Sequence, residues 1–182
     1  MENIKELTNF QKVALSLIIK IKNIGKTKLY IGLFIFDGLY YALHKKTFTD
    51  CIYLKSKFSP VPHHKFIKEL KELSDINLIN IEQNNKKIVY LPKNIFEVDL
   101  LNDPKLQKIL NNVIEIISNK SSEELSALTN DEILNKLKAN TKLEFEDLIK
   151  WKIDDYSTAP IKSEIRELTK EDEEELYSIL SK

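Results

Sequence analysis

The pattern of apolar and polar residues over the first 45 positions predicts two consecutive helices. Apolar residues recur at helical spacing from Ile4 to Ile21, and Gly25 then interrupts the pattern. The next run, Leu29–Leu43, is apolar on nearly every side, which is typical of a helix surrounded by other elements. It is shorter than the roughly 20 residues that cross a bilayer and contains Asp37, so we expect no membrane segment.

The middle of the chain predicts a third helix followed by a hairpin. Residues 47–58 mix β-forming side chains with lysines and favour an extended connection or short strand. The segment Ser59-Pro60-Val61-Pro62 cannot lie inside a helix but can begin one, so we expect a helix over residues 63–74. Two β-rich runs joined by an Asn-Asn turn then predict a hairpin at about residues 76–92.

The second half of the chain predicts further helices. Asp103-Pro104 supplies a cap and a first-position proline for a helix that continues to Ile117. Three capping boxes follow and predict short helices that begin at Ser121, Thr129 and Thr141.

These elements together predict a predominantly helical α+β fold. A helix followed by a hairpin is the order of a winged-helix unit, which we expect to pack within a helical domain. We assign residues 1–140 to this domain and residues 141–182 to an acidic extension of helical or irregular structure.

Charge is balanced overall but not along the chain. The 28 Lys and Arg residues equal the Asp and Glu residues in number. Residues 1–100 nevertheless carry a surplus of six positive charges, and residues 101–182 a matching deficit, so an anionic partner should meet the first half. Arg166 is the only arginine, which leaves almost no bidentate contacts to phosphate or guanine.

Residue types that carry catalytic or metal chemistry are scarce. The three glycines lack the spacing of a dinucleotide-binding turn, and the single cysteine, Cys51, excludes a disulfide framework. Cys51 and the three histidines lack zinc-type spacing. We therefore expect a protein that is not an enzyme and has neither metal nor cofactor. The polar N-terminus and the lone cysteine favour the cytoplasm.

Asp37 is the one charged residue within the apolar run. Burying a carboxylate is costly unless it is paired or hydrogen-bonded. Tyr40, Tyr41 and His44 follow on or near the same helix face. We interpret Asp37 as a polar residue that holds this helix against its neighbours, with a role in gripping a partner as the alternative.

The third helix and the hairpin tip carry exposed basic residues. They are His64, Lys65, Lys68 and Lys71 on the helix and Lys86 and Lys87 at the tip. In a winged helix these would face a DNA groove and touch phosphates, which gives a DNA-binding transcriptional regulator as an alternative function. Glu69, Glu72 and Glu82 lie among them and weaken the positive field.

Several short motifs resemble those of the Panacea domain, the family of SocA-like antitoxins and phage-associated proteins. They are Lys28-Leu29, Leu33-Phe34-Ile35-Phe36-Asp37, Phe48-Thr49-Asp50 with Tyr53, and Phe58-Ser59-Pro60-Val61-Pro62. A later segment, residues 121–129, resembles the family's Leu-Ser-x-x-Thr helix, so the likeness covers roughly residues 8–135. Ser59 stands where the family usually has glycine, and Asn130 where it usually has histidine.

The resemblance implies interaction rather than catalysis. Its members look like antitoxins that neutralise a toxin encoded by a neighbouring gene, by binding it or by delivering it to a protease. The motif core would be Asp37, Phe58, Ser59, Pro60 and Val61. The candidate partner-binding residues, chosen because interface hot spots favour aromatic anchors, are Tyr40, Tyr41, His44 and Trp151. A homodimer is also compatible with the sequence.

Overall fold

The computed structural model describes residues 7–57, 59–84, 87–93, 101–129, 134, 136–146 and 148. Within them the chain forms five helices and two small antiparallel sheets, which confirms a mostly helical α+β fold. The elements are α1 (Asn9–Ile21), β1 (Ile24–Gly25), α2 (Lys26–His44), β2 (Tyr53–Lys55), β3 (Pro60–Pro62), α3 (His64–Asp75), β4 (Ile79–Asn84), β5 (Lys87–Pro92), α4 (Pro104–Ser118), α5 (Ser122–Leu128) and β6 (Lys142–Leu143).

Helix α1 begins at a reciprocal cap. The Thr8 hydroxyl accepts from the Gln11 backbone N–H at 3.1 Å, and the Gln11 side chain accepts from the Thr8 N–H at the same distance. The helix ends at Lys22, whose left-handed backbone (φ 56°) closes the last turn. The helix thus begins at Asn9, later than the predicted start near Ile4, which itself lies outside the described residues.

Helix α2 is the buried helix that the apolar run predicts. It contacts α1, α4, α5 and strand β3, and most of the residues in its middle are buried. Gly32 lies where α2 packs against α4 and α1. A Cβ atom at this position would lie 2.9 Å from Ile117 Cδ1 and 3.3 Å from Leu17 Cδ1. A hydrogen side chain therefore permits this helix spacing.

The proline segment differs from the prediction. Pro60–Pro62 does not begin a helix but forms β3, which pairs with β2. Prolines cannot donate to a ladder, and they are tolerated here because β3 is at the edge of its sheet. Helix α3 then starts at His64 and buries Phe66, Leu70 and Leu73, while Ile67 is half-buried.

Two sheets connect distant parts of the chain. The hairpin β4–β5 confirms the predicted one, and β1 adds to it in the order β1-β5-β4. The second sheet has the order β3-β2-β6, in which β6 comes from almost ninety residues after β2.

The capping-box predictions have different outcomes. The Ser121 box is confirmed, with its hydroxyl accepting from the Glu124 N–H at 3.1 Å at the start of α5. The box at Thr141 is wrong, because the next two residues form strand β6. Thr129 ends α5, donating its hydroxyl to the Leu125 carbonyl at 3.0 Å, and the helix expected after it falls largely outside the described residues.

The chain divides after Leu143 into two units, and the elements above belong to the first. Most of residues 144–182, the greater part of the predicted acidic extension, lies outside the described residues. Among the helices that are described, none is long and apolar enough to cross a bilayer.

Candidate functional site

Asp37 lies at the centre of the candidate site. It projects from the middle of α2 and is fully buried, with no exposed surface. Taking an isolated carboxylate out of water costs several kcal/mol unless hydrogen bonds replace its hydration. The site is therefore defined by the donors that surround this side chain.

Four donors, from three residues, surround the Asp37 carboxylate. The backbone N–H groups of Phe48 and Thr49 each donate to Oδ1 at 3.0 Å. The hydroxyl of Tyr53 donates to Oδ2 at 2.8 Å, and the hydroxyl of Thr49 donates to the same oxygen. Each carboxylate oxygen thus accepts from two donors. Three of the donors come from the connection between α2 and β2, and the fourth comes from Tyr53, the first residue of β2.

This connection turns sharply around the carboxylate. Lys45 and Asp50 both have left-handed backbones, with φ of 56° and 54°. The Thr49 hydroxyl also accepts from the Cys51 backbone N–H at 3.1 Å. The ring of Tyr53 is buried against Phe34, 5.2 Å between centroids. Asp37 therefore anchors a loop that reverses the chain between α2 and the second sheet.

Burial dominates the electrostatics of the site. It raises the pKa of Asp37 to about 6, although the hydrogen bonds from Thr49, Tyr53 and Phe48 partly oppose the shift. Burial likewise raises the pKa of Tyr53 well above its usual range. The buried thiol of Cys51 also has a raised pKa, with burial the larger cause and the Asp37 charge the next. Cys51 is consequently a thiol, not a nucleophilic thiolate, at neutral pH.

The aromatic residues predicted near Asp37 lie close to it but do not supply its donors. Tyr40 stacks on His44 at 4.3 Å and packs edge-on against Phe48 at 5.3 Å between centroids. His44 is exposed, whereas Tyr40, Phe48 and Tyr41 are half-buried. We call Tyr40, His44 and Phe48 the aromatic cluster. Phe48 links it to the site, because its backbone N–H holds Asp37 while its ring faces Tyr40.

Three residues of the predicted motif core lie next to this loop. Ser59 and Pro60 are buried and Val61 is half-buried, and Pro60 and Val61 pair with β2. Ser59 accepts from the Ser56 hydroxyl at 2.6 Å through its carbonyl. Its backbone is not left-handed, so this position does not require glycine. Phe58 lies outside the described residues.

The predicted basic residues lie on one surface of α3 and on the hairpin. His64, Lys65, Lys68 and Lys71 are exposed, as is Lys87 at the start of β5. His63 precedes the helix, and its Nδ1 accepts from the Lys65 N–H at 3.4 Å. Lys86 and the predicted partner-binding residue Trp151 lie outside the described residues.

Sequence reasoning identified Asp37 but did not assign its donors. Thr49 and Tyr53 were recognised as motif residues without a role, and the signal was available: a buried acid needs hydroxyl or N–H donors, and these two follow within sixteen positions. Among the described residues no group of His, Cys, Asp or Glu could hold a metal ion. Comparison with protein-family models, curated proteins and solved structures finds no match.

Proposed function

We propose that this protein is a non-catalytic protein-binding module of the Panacea, or SocA-like antitoxin, kind. It would neutralise or deliver a partner protein, a toxin encoded by a neighbouring gene, through direct binding. The hydrogen-bond set of Asp37 is the observation that carries the proposal, because it joins motif residues that the sequence scatters over sixteen positions.

The proposal is supported by the loop and the strand that the hydrogen bonds of Asp37 hold in place. Motif residues Thr49 and Tyr53 both donate to Asp37, and Tyr53 begins the strand that pairs with Pro60–Pro62. Every one of these donors is directed at the carboxylate and is buried or half-buried. Such an arrangement fixes a loop and the surface beside it, which is what a preorganised binding surface requires.

The aromatic cluster is the surface that we assign to the partner. Tyr40 and His44 come from a rigid helix, and Phe48 comes from the loop that Asp37 holds. Exposed Lys45 and Lys46 border the cluster. Aromatic side chains on a fixed backbone bind with little loss of conformational entropy, and a rim of charge adds orientation.

Co-expression tests this proposal. Each neighbouring gene is expressed alone and together with this chain, and we expect one that inhibits growth alone to be harmless in the pair and to co-purify. The double variant Tyr40→Ala/His44→Ala should lose rescue and weaken co-purification at least tenfold, about 1.4 kcal/mol or more. Ile76→Ala, which removes an exposed apolar side chain elsewhere, is the control and should rescue normally.

Two results would contradict the proposal. One is that no neighbouring gene is toxic or co-purifies with the chain. The other is that the aromatic double variant, folded by circular dichroism, rescues as well as the Ile76→Ala control. Either result leaves the Asp37 contacts as a purely structural feature.

We also propose that residues 9–92 adopt a winged-helix-like arrangement. The support is topological: the order is helix, short strand, helix, helix and hairpin, and the short strand β1 joins the hairpin in the order β1-β5-β4. Winged-helix domains have this order. The difference is the long connection between α2 and α3, which carries β2 and β3 and the loop around Asp37.

A further inference from the structure

The exposed side of α3 supports a second function that does not depend on the aromatic cluster. We propose that α3 and the β4–β5 hairpin bind the phosphate backbone of a nucleic-acid duplex without reading its base sequence. We call Lys65, Lys68, Lys71 and Lys87 the basic surface.

Lys68 and Lys71 of α3 point away from the core, whereas the Lys65 ammonium lies over the ring of the buried Phe66, 5.5 Å from its centroid. Phe66, Leu70 and Leu73 form its buried side, and Lys68 and Lys71 are exposed on the opposite side. From Lys65 to Lys71 the helix rises about 9 Å, given 1.5 Å per residue. A row of this length fits within a major groove about 12 Å wide, where lysines on either flank reach phosphates.

Two acids that alternate with these lysines in the sequence are turned toward α1. Glu69 accepts from the Thr8 hydroxyl at 2.6 Å, and Glu72 accepts from the Gln11 side-chain amide at 3.1 Å. The Gln11 amide also donates to the Glu69 carbonyl at 3.2 Å. These contacts hold both carboxylates on the side of α3 that faces α1. The side that carries Lys68 and Lys71 is therefore more basic than the alternation of lysine and glutamate in the sequence suggests. Glu72 is exposed despite its contact with Gln11, as is Asp75 at the far end of α3.

The hairpin extends the basic surface. Lys87 is exposed and is the first residue of β5. Strands β4 and β5 pair over six residues each, which fixes the position of Lys87 at the end of the hairpin. Glu82 is an exposed acid on the facing strand and reduces the field there. The geometry therefore places most of the positive charge on α3, with the hairpin as a second phosphate contact.

The side chains available favour backbone contact over base readout. The exposed positions of α3 hold one histidine, three lysines and the acids Glu72 and Asp75, and they hold no arginine, asparagine or glutamine. Lysine is a flexible point charge, whereas the bidentate contacts that distinguish bases come mainly from arginine, asparagine and glutamine. The expected ligand is a duplex recognised by its phosphates.

Fluorescence anisotropy of the full chain with two unrelated duplexes of about 20 base pairs tests the proposal. With three or four phosphate contacts, log K should fall with log salt at a slope of about −3 to −4, equally for both sequences. The variant Lys68→Glu/Lys71→Glu should bind at least tenfold more weakly at about 50 mM salt and lose roughly two units of slope. Lys105→Glu/Lys108→Glu, with the same charge change and the same spacing at exposed positions of α4, is the matched control and should bind within about twofold of wild type.

Three outcomes would overturn the inference. They are no binding by folded wild-type protein at low salt, equal weakening by the two double variants, and a preference of tenfold or more for one duplex. The first removes nucleic-acid binding, the second assigns it to net charge alone, and the third replaces backbone contact with base readout. The Lys68→Glu/Lys71→Glu variant should still rescue growth from the toxin, because it leaves the aromatic cluster unchanged. A failure of nucleic-acid binding is thereby distinguished from a failure of the proposed function.

Discussion

At Asp37 two electrostatic effects oppose each other within one side chain. Four donors stabilise the charged carboxylate, while complete removal from water favours the protonated form. Burial is the larger effect, and the pKa is raised from 3.8 to about 6. The residue that holds the loop in place is therefore also one that titrates just below neutral pH.

The raised pKa gives stability a defined dependence on pH. The folded chain binds the Asp37 proton more tightly than the unfolded chain, so this contribution is fully present below pH 4 and is lost as pH rises through about 6. We expect the loss of this contribution to lower the free energy of unfolding by about 1 kcal/mol between pH 5 and pH 7.5. Urea unfolding at the two pH values measures it.

Asp37→Asn tests the assignment, because an amide cannot titrate. The variant should lack this pH-dependent difference. Asp50→Asn, at an exposed position whose left-handed backbone asparagine tolerates, should keep it. An identical pH dependence in wild type and in Asp37→Asn would show that another group is responsible.

Among the elements, α2 has the most demanding environment. It packs against three other helices and strand β3, and a methyl group added at Gly32 would lie 2.9 Å from Ile117 Cδ1 of α4. Packing this dense leaves little room, so overpacking costs typically 1–3 kcal/mol. The cost of a larger side chain at this position therefore depends on the atom opposite it.

A double-mutant cycle tests this contact directly, because Ile117→Val deletes the Cδ1 atom. Ile117→Val alone should cost about 1 kcal/mol. In a chain that already carries Gly32→Ala, Ile117→Val should cost at least about 0.5 kcal/mol less than it does in the wild type, since the new methyl group occupies the vacated space. Additive free energies of unfolding in the four proteins would mean that the two positions do not touch.

At the scale of the whole molecule, the second sheet ties the end of the first unit to its middle. Strand β6 pairs with β2, the Asn140 N–H donates to the Lys55 carbonyl at 2.7 Å, and the Lys55 N–H donates to the Thr141 carbonyl at 2.8 Å. Leu143 is buried. A segment that the sequence assigns to the start of an extension thus belongs to the core of the first unit.

Leu143→Ala should therefore destabilise the whole first unit. Burial of this leucine predicts a loss of about 2–3 kcal/mol in the free energy of unfolding, within a single cooperative transition. Leu106→Ala, at a half-buried position on α4, is the control and should lose less. A loss for Leu143→Ala no greater than that of the control would place Leu143 outside the core.

Local physics was enough to predict α2, α4, α5 and the hairpin. Apolar periodicity identified the buried α2, and the Asp103-Pro104 and Ser121…Glu124 signals located the starts of α4 and α5, because a helix cap is made by residues within four positions of one another. The hairpin was predicted for the same reason, since its turn and both strands are adjacent in the chain.

Contacts between distant residues were decided only by the tertiary structure. Periodicity showed that Asp37 would be buried, but its donors depend on how the loop folds back onto α2. Thr141 has the sequence of a helix cap, yet pairing with β2 recruits the residues after it into a strand. Glu69 and Glu72 look like part of a mixed charged face until α1 supplies their partners. In each case the deciding free energy comes from a contact across many residues, which no local pattern encodes.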